Sequence, residues 1–175
     1  AEVAAAMGFA DVPAAGPAPL RVLVAPSFGE DSILRDRAVC EAIVALTARD
    51  DAAVAVKFHP ALSLDTAHPF HGKTSEEAEA MELLSRAPGV SIIPNSFCSL
   101  LPLADAADII VCDLHSSVGF EALYCPPVTV LAFRPESLEA EAQSRPREYL
   151  AHINTFTDAA ELTAMFDALA ADRRG

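Results

Sequence analysis

An α/β fold, with a parallel sheet of about five or six strands packed between helices, is what the sequence predicts. Three observations lead there. Short, continuous aliphatic runs recur along the chain, such as "RVLVA" (Arg21–Ala25) and "DIIVCD" (Asp108–Asp113). Runs of this kind suit strands buried on both faces. Longer segments between them carry apolar residues at helical spacing, with charges on the opposite face. Finally, the 175-residue chain is 52% hydrophobic but only 6% aromatic, and it has no Trp. The core is therefore expected to be built from Val, Ile, Leu and Ala.

The elements follow in order. "RVLVA" is the first strand and stops at Pro26. "ILRDRAVCEAIVALTAR" (Ile33–Arg49) has the periodicity of a helix. "AVAVKF" (Ala53–Phe58) is the second strand, halted by His59 and Pro60, and a loop runs from Ala61 to Lys73. "SEEAEAMELLSR" (Ser75–Arg86) is a helix with Thr74 or Ser75 as its cap and acids in its first turn. "GVSIIP" (Gly89–Pro94) is the third strand. "SLLPLADAA" (Ser99–Ala107) is a short helix interrupted by Pro102. Asp108–Asp113 is the fourth strand, and "SSVGFEALYC" (Ser116–Cys125) the helix after it. "PVTVLAF" (Pro127–Phe133) is the fifth strand. Arg134–Ala151 is polar and irregular, and a helix capped by Thr157 closes the chain at Arg174.

Residues 1–19, rich in Ala and Pro, read as a linker, and residues 20–175 as one domain. The linker has neither the basic start nor the apolar middle of a secretory signal. Since the first residue is not Met, the chain is expected to be a piece of a longer protein.

Charge narrows the function. The formal net charge is −13. A general grip on nucleic acid needs a basic face, and so does a polybasic membrane patch. No apolar run of about 18 residues marks a transmembrane helix. The four cysteines, Cys40, Cys98, Cys112 and Cys125, show no CxxC spacing. They are expected as free thiols in a reducing compartment, the cytoplasm, without a metal.

In a Rossmann-like three-layer α/β/α fold, right-handed crossovers bring all strand C-termini to one edge. Ligands bind outside that edge where the strand order reverses. The residues that follow each strand are therefore the candidates. After the first strand, "APSFGED" offers Ser27 and a tight turn where backbone can approach a ligand. After the second, "KFHP" offers His59, with Lys57 on the same side by strand alternation. After the third, "IIPNSFCS" offers Asn95. After the fourth come Asp113, His115, Ser116 and Ser117, and then Glu121, one helical turn beyond Ser117. Hydroxyls at a helix start either cap it or help to hold a phosphate. A carboxylate one turn on is placed to accept from ribose hydroxyls, and the same spacing suits a capped helix with a solvated Glu. Neither GxGxxG nor GxxxxGK[ST] occurs, so no dinucleotide fingerprint or P-loop is supported.

The ordered set "VLVAPSFGE", "VKFHP", "GVSIIPNS" and "LLPLADAADIIVCDLHSSVGFEALYCPPVTVL" resembles the C-terminal half of the CDP-glycerol glycerophosphotransferases. These are teichoic-acid and capsule polymerase enzymes with the two-Rossmann-domain fold termed GT-B. The resemblance runs from Arg21 to Phe133. It implies a domain that binds the nucleotide of a CDP-linked donor. His59, Ser116 and Ser117 would meet its phosphates, Glu121 the ribose and Asn95 the base, while Ser27 would line the cleft. The family's D-Y-S-S block has one residue between acid and serines. Here Leu114 and His115 both intervene, which leaves the role of Asp113 open and offers His115 as a phosphate contact.

The resemblance also implies partners. The general base is expected in an N-terminal domain of the same longer protein, so the isolated chain would bind donor without turning it over. The acceptor would be a cell-surface polymer or a lipid-linked, membrane-associated molecule, with the protein in the cytoplasm or peripheral at the inner face of the membrane through its missing part. No cofactor beyond the donor nucleotide is implied. Two alternatives stay open: a nucleotide-sugar glycosyltransferase or UDP-sugar epimerase-like domain, and a non-catalytic α/β binding module.

Overall fold

The computed structural model describes residues 3, 5, 7–9, 18–60, 62, 74–94, 100–125, 128–135 and 150–174. Asn95 and Cys98 lie outside them. The elements are β1 (Leu20–Ala25), α1 (Arg37–Leu46), β2 (Ala52–Val56), α2 (Ser75–Arg86), β3 (Val90–Ile92), α3 (Leu101–Asp105), β4 (Ile109–Asp113), α4 (Ser117–Ala122), β5 (Thr129–Phe133), β6 (Asn154–Phe156) and α5 (Ala159–Arg174). The strands form one sheet in the order β3-β2-β1-β4-β5-β6. Every neighbouring pair is parallel. The fold is thus a Rossmann-like α/β sheet. Its order reverses between β1 and β4, since the chain builds outward from β1 to β3 and then crosses back to start the other half.

Strand alternation sorts the core into two layers. Leu20, Val22 and Val24 of β1, with Val54 and Val56 of β2, face α1, α2 and α5. There they meet Ile43, Leu84 and Phe166. Leu23 and Ala55 point the other way, toward Leu103 of α3 and Ala122 of α4. Met7 and Phe9 are buried in this second layer. These two side chains of the stretch read as linker therefore belong to the core.

Local chemistry explains most element ends. Thr74 and Glu77 form a reciprocal capping box at the start of α2, with Glu76 and Glu77 in its first turn and Arg86 in its last. The helix expected over Ile33–Arg49 is split. Ile33–Arg35 is a 3₁₀ turn capped by Ser32, and α1 begins anew because the Asp36 side chain accepts from the amide of Val39 at 3.0 Å. An Asp inside an apolar periodicity can take up the backbone in this way and end one helix to start another. At the last helix, Asp158 rather than Thr157 accepts from the Glu161 amide, at 2.8 Å. Glu161 in turn accepts from the amide and hydroxyl of Thr157.

The edge at the strand N-termini is tied by ions. Arg21 donates to Asp108 through its backbone amide and its guanidinium, and Arg173 of α5 reaches the same carboxylate at 2.8 Å. Partial burial works against the Asp108 charge, but the Arg21 and Arg173 donors win and hold its pKa down at about 2. No helix among the described residues is long and apolar enough to cross a membrane.

Candidate functional site

The opposite edge carries the candidate site. Beside the reversal of strand order lies a cleft of about 250 Å³. Pro26 follows β1, Lys57 and His59 follow β2, and Ser116 and Glu121 come from the segment after β4; all line it, with Leu100 and Val118 among its apolar walls. Two other depressions, of about 120 and 430 Å³, sit between the outer helices α1 and α2 and are lined by their Arg and Glu side chains. They lack the convergence of strand ends that marks a site in this kind of sheet.

Each side of the cleft has its own chemistry. Lys57 is buried, and its backbone amide extends the ladder by donating to Val24 at 2.8 Å. His59 is more open. Burial, and then the neighbouring Lys57 charge, lower its pKa from 6.5. Both effects favour the neutral imidazole, in which one ring nitrogen donates and the other accepts. The ring of Phe28 packs against it with centroids 4.8 Å apart and planes tilted by 55°. Across from this pair stands Glu121, whose carboxylate accepts from the Ser117 hydroxyl at 3.2 Å. Ser116 caps α4, its hydroxyl accepting from the amide of Val118 at 3.3 Å. So of the paired serines one caps the helix and the other braces Glu121.

Not every candidate joins the cleft. Asp113 is fully buried. One of its oxygens accepts from the amide of Ser27 at 2.5 Å and the other from the amide of Ile33 at 2.6 Å. Both oxygens of Asp113, whose role the sequence left open, thus face the β1 loop, and Asp113 is not among the described residues that line the cleft. Burial pushes its pKa up to about 7, against the pull of the two amides. Ser27 is half-buried, and its carbonyl accepts from the Ser32 hydroxyl at 3.1 Å. His115 is half-buried at the turn after β4 and is not among the described residues that line the cleft. Asn95 falls outside the described residues.

Sequence reasoning missed Glu77 and Phe28. Glu77 is fully buried and links two distant places, accepting from the Thr74 amide and from the Gly29 amide, each at 2.8 Å. Its place in a capping box was readable; its bond to a loop 48 residues away was not. Together Asp113 and Glu77 engage the amides of Ser27, Gly29 and Ile33. The turn after β1, expected to offer backbone to a ligand, spends those amides on protein carboxylates.

Among the described residues, no three His, Cys, Asp or Glu side chains converge as metal ligands. Cys40, Cys112 and Cys125 are free thiols. Burial pushes the Cys40 thiol up to about 12 and that of Cys112 higher still, which leaves both unreactive. No protein-family model matches the chain, and no curated protein matches it either.

Proposed function

We propose that the chain is the donor-binding half of a transferase that moves glycerol phosphate, or a related polyol phosphate, from a CDP-activated donor to a cell-surface or lipid-linked acceptor. The observation that carries this reading is the pairing of chemistries across one cleft. Lys57 and His59 stand on one side, Ser116 and Glu121 on the other. A phosphorylated nucleoside needs both: cationic and hydrogen-bonding donors for its phosphates, and a carboxylate for its sugar hydroxyls. In a chain of net charge −13 the overall field repels such a ligand, so local donors must supply the attraction. The order of motifs from Arg21 to Phe133 adds the resemblance to the glycerophosphotransferases.

On this reading an acceptor hydroxyl attacks the β-phosphorus of the donor. The new P–O bond forms as the bond to the CMP oxygen breaks, and the acceptor proton passes to a base in the other half of the longer protein. Lys57 and His59 stabilise charge on the phosphoryl oxygens, as electrostatic catalysis of phosphoryl transfer requires. Glu121 holds the ribose, and Ser117 keeps the carboxylate in place.

Calorimetric titration with CMP, CDP, UDP and GDP tests the proposal. The cytidine nucleotides should bind most tightly, with affinity lowered in His59→Ala and in Glu121→Gln. A uridine or guanosine preference would point to a sugar transferase. No binding by any of the four, or binding that ignores both substitutions, would overturn the proposal.

A further inference from the structure

Large apolar side chains are exposed at Phe28, Leu101 and Tyr124 among the described residues. Phe28 differs from the other two in how its backbone is held. The residues on either side of it, Ser27 and Gly29, donate their amides to Asp113 and Glu77. Both carboxylates are fully buried. Burying carboxylates is costly unless they are well hydrogen-bonded, and here the bonds go to an exposed surface loop. Gly29 takes φ +106°, which an L side chain rarely adopts, so the turn has a fixed and unusual path. This bracing fixes the backbone on either side of Phe28, and the ring rests on His59 while 45% of the residue stays open to solvent. That position is the rim of the cleft, because Phe28 packs on His59 and His59 lines it.

We propose that Phe28 is the stacking wall for the planar heterocycle of the ligand that the cleft receives, which on the reading above is the nucleobase of the donor. The inference rests on that reading. A ring fixed in advance binds a base without first losing conformational freedom, which is the advantage of preorganisation. Stacking on an aromatic face tolerates any base, since every base has a π-face. Phe28 therefore supplies affinity for a nucleotide over a base-free sugar phosphate, and choice among bases must come from hydrogen-bonding groups elsewhere.

The test compares CMP with ribose 5-phosphate by calorimetry on the chain and on its Phe28→Ala and Phe28→Tyr forms, with thermal melting to check that each is folded. Phe28→Ala should weaken CMP about tenfold, a typical loss for one stacked base. It should leave ribose 5-phosphate unchanged, and Phe28→Tyr should restore CMP binding. If the unsubstituted chain binds CMP and Phe28→Ala binds it equally well, stacking is refuted while the nucleotide reading stands. Equal losses for CMP and ribose 5-phosphate would also refute stacking, since Phe28 would then act only by positioning His59. Failure of the unsubstituted chain to bind CMP would overturn the nucleotide reading and this inference with it.

Discussion

Replacing Asp113 with Asn should move the balance of stability toward the variant as pH rises from 4 to 8. Asp113 has no exposed surface and faces the amides of Ser27 and Ile33. Two effects oppose each other there. Burial penalises the carboxylate, and the two amides favour it. Burial is the larger, so the acid titrates near 7 in the fold against 3.8 in an exposed chain. The folded state then binds more protons than the unfolded state between these values, and stability falls as pH rises through that window. At 1.36 kcal/mol per pH unit, the separation amounts to about 4 kcal/mol once the pH exceeds 7. Asn is nearly isosteric with the protonated acid. Unlike the acid, whose two oxygens both accept, it turns an amino group toward one of the two amides and leaves that amide without an acceptor, at a cost of about 1–3 kcal/mol that does not depend on pH. Below pH 4 the variant should therefore be the less stable by about 1–3 kcal/mol, and the difference should shift in its favour by about 4 kcal/mol between pH 4 and pH 8.

Urea unfolding of both proteins at pH 4, 5, 6, 7 and 8 measures this directly. The difference between them isolates Asp113, since every other carboxylate is common to both. The decisive quantity is the slope of that difference between pH 4 and 7. A flat profile would mean the acid does not sense folding. A difference that grows in favour of the parent as pH rises would mean that the two amides outweigh burial, and the reasoning would be refuted.

Two further substitutions probe the same loop. Glu77→Gln keeps one acceptor oxygen but turns an amino group toward either Thr74 or Gly29, leaving a buried amide without an acceptor. It should cost about 1–3 kcal/mol in urea unfolding, and an unchanged midpoint would show that the Gly29 bond contributes nothing. Gly29→Ala adds a methyl group that meets nothing within 4 Å, so its only penalty is the backbone at φ +106°. A loss of about 1 kcal/mol or more is expected, and a neutral result would show that the turn relaxes to another path.

Much of the scaffold was legible because its signals are local. β1, β2, β4 and β5 are aliphatic runs, and a strand buried on both faces can be little else. Both ends of α2 were read correctly, since a capping box lies within four adjacent residues. β6 has three residues, of which only Phe156 is buried, so it has no periodicity to read. The break at Asp36 was hidden because an acid on a helix surface and an acid at a cap look alike in sequence.

The candidate site divides along the same line. That Ser116 could cap a helix, and that Ser117 and Glu121 share a face, follow from spacing alone. That Asp113 serves the β1 loop depends on strand order, a global property. Only because β1 and β4 are neighbours does an acid at the end of one strand meet an amide 86 residues earlier. Read in isolation, an acid just before two serines suggests a ligand contact.

Strand order also decides where an anion can enter. In a sheet of this kind the turn after β1 is the usual cradle for phosphate, because its amides and the following helix start present positive charge. Here the amides of Ser27, Gly29 and Ile33 already face two carboxylates. A phosphate at this turn would displace neither and would be repelled by both, most strongly at a pH where Asp113 is ionised. On the proposed reading an anion would instead meet Lys57 and His59, which reach the same cleft from β2. The two carboxylates thus occupy amides that could otherwise cradle a phosphate, and they brace the backbone on either side of Phe28.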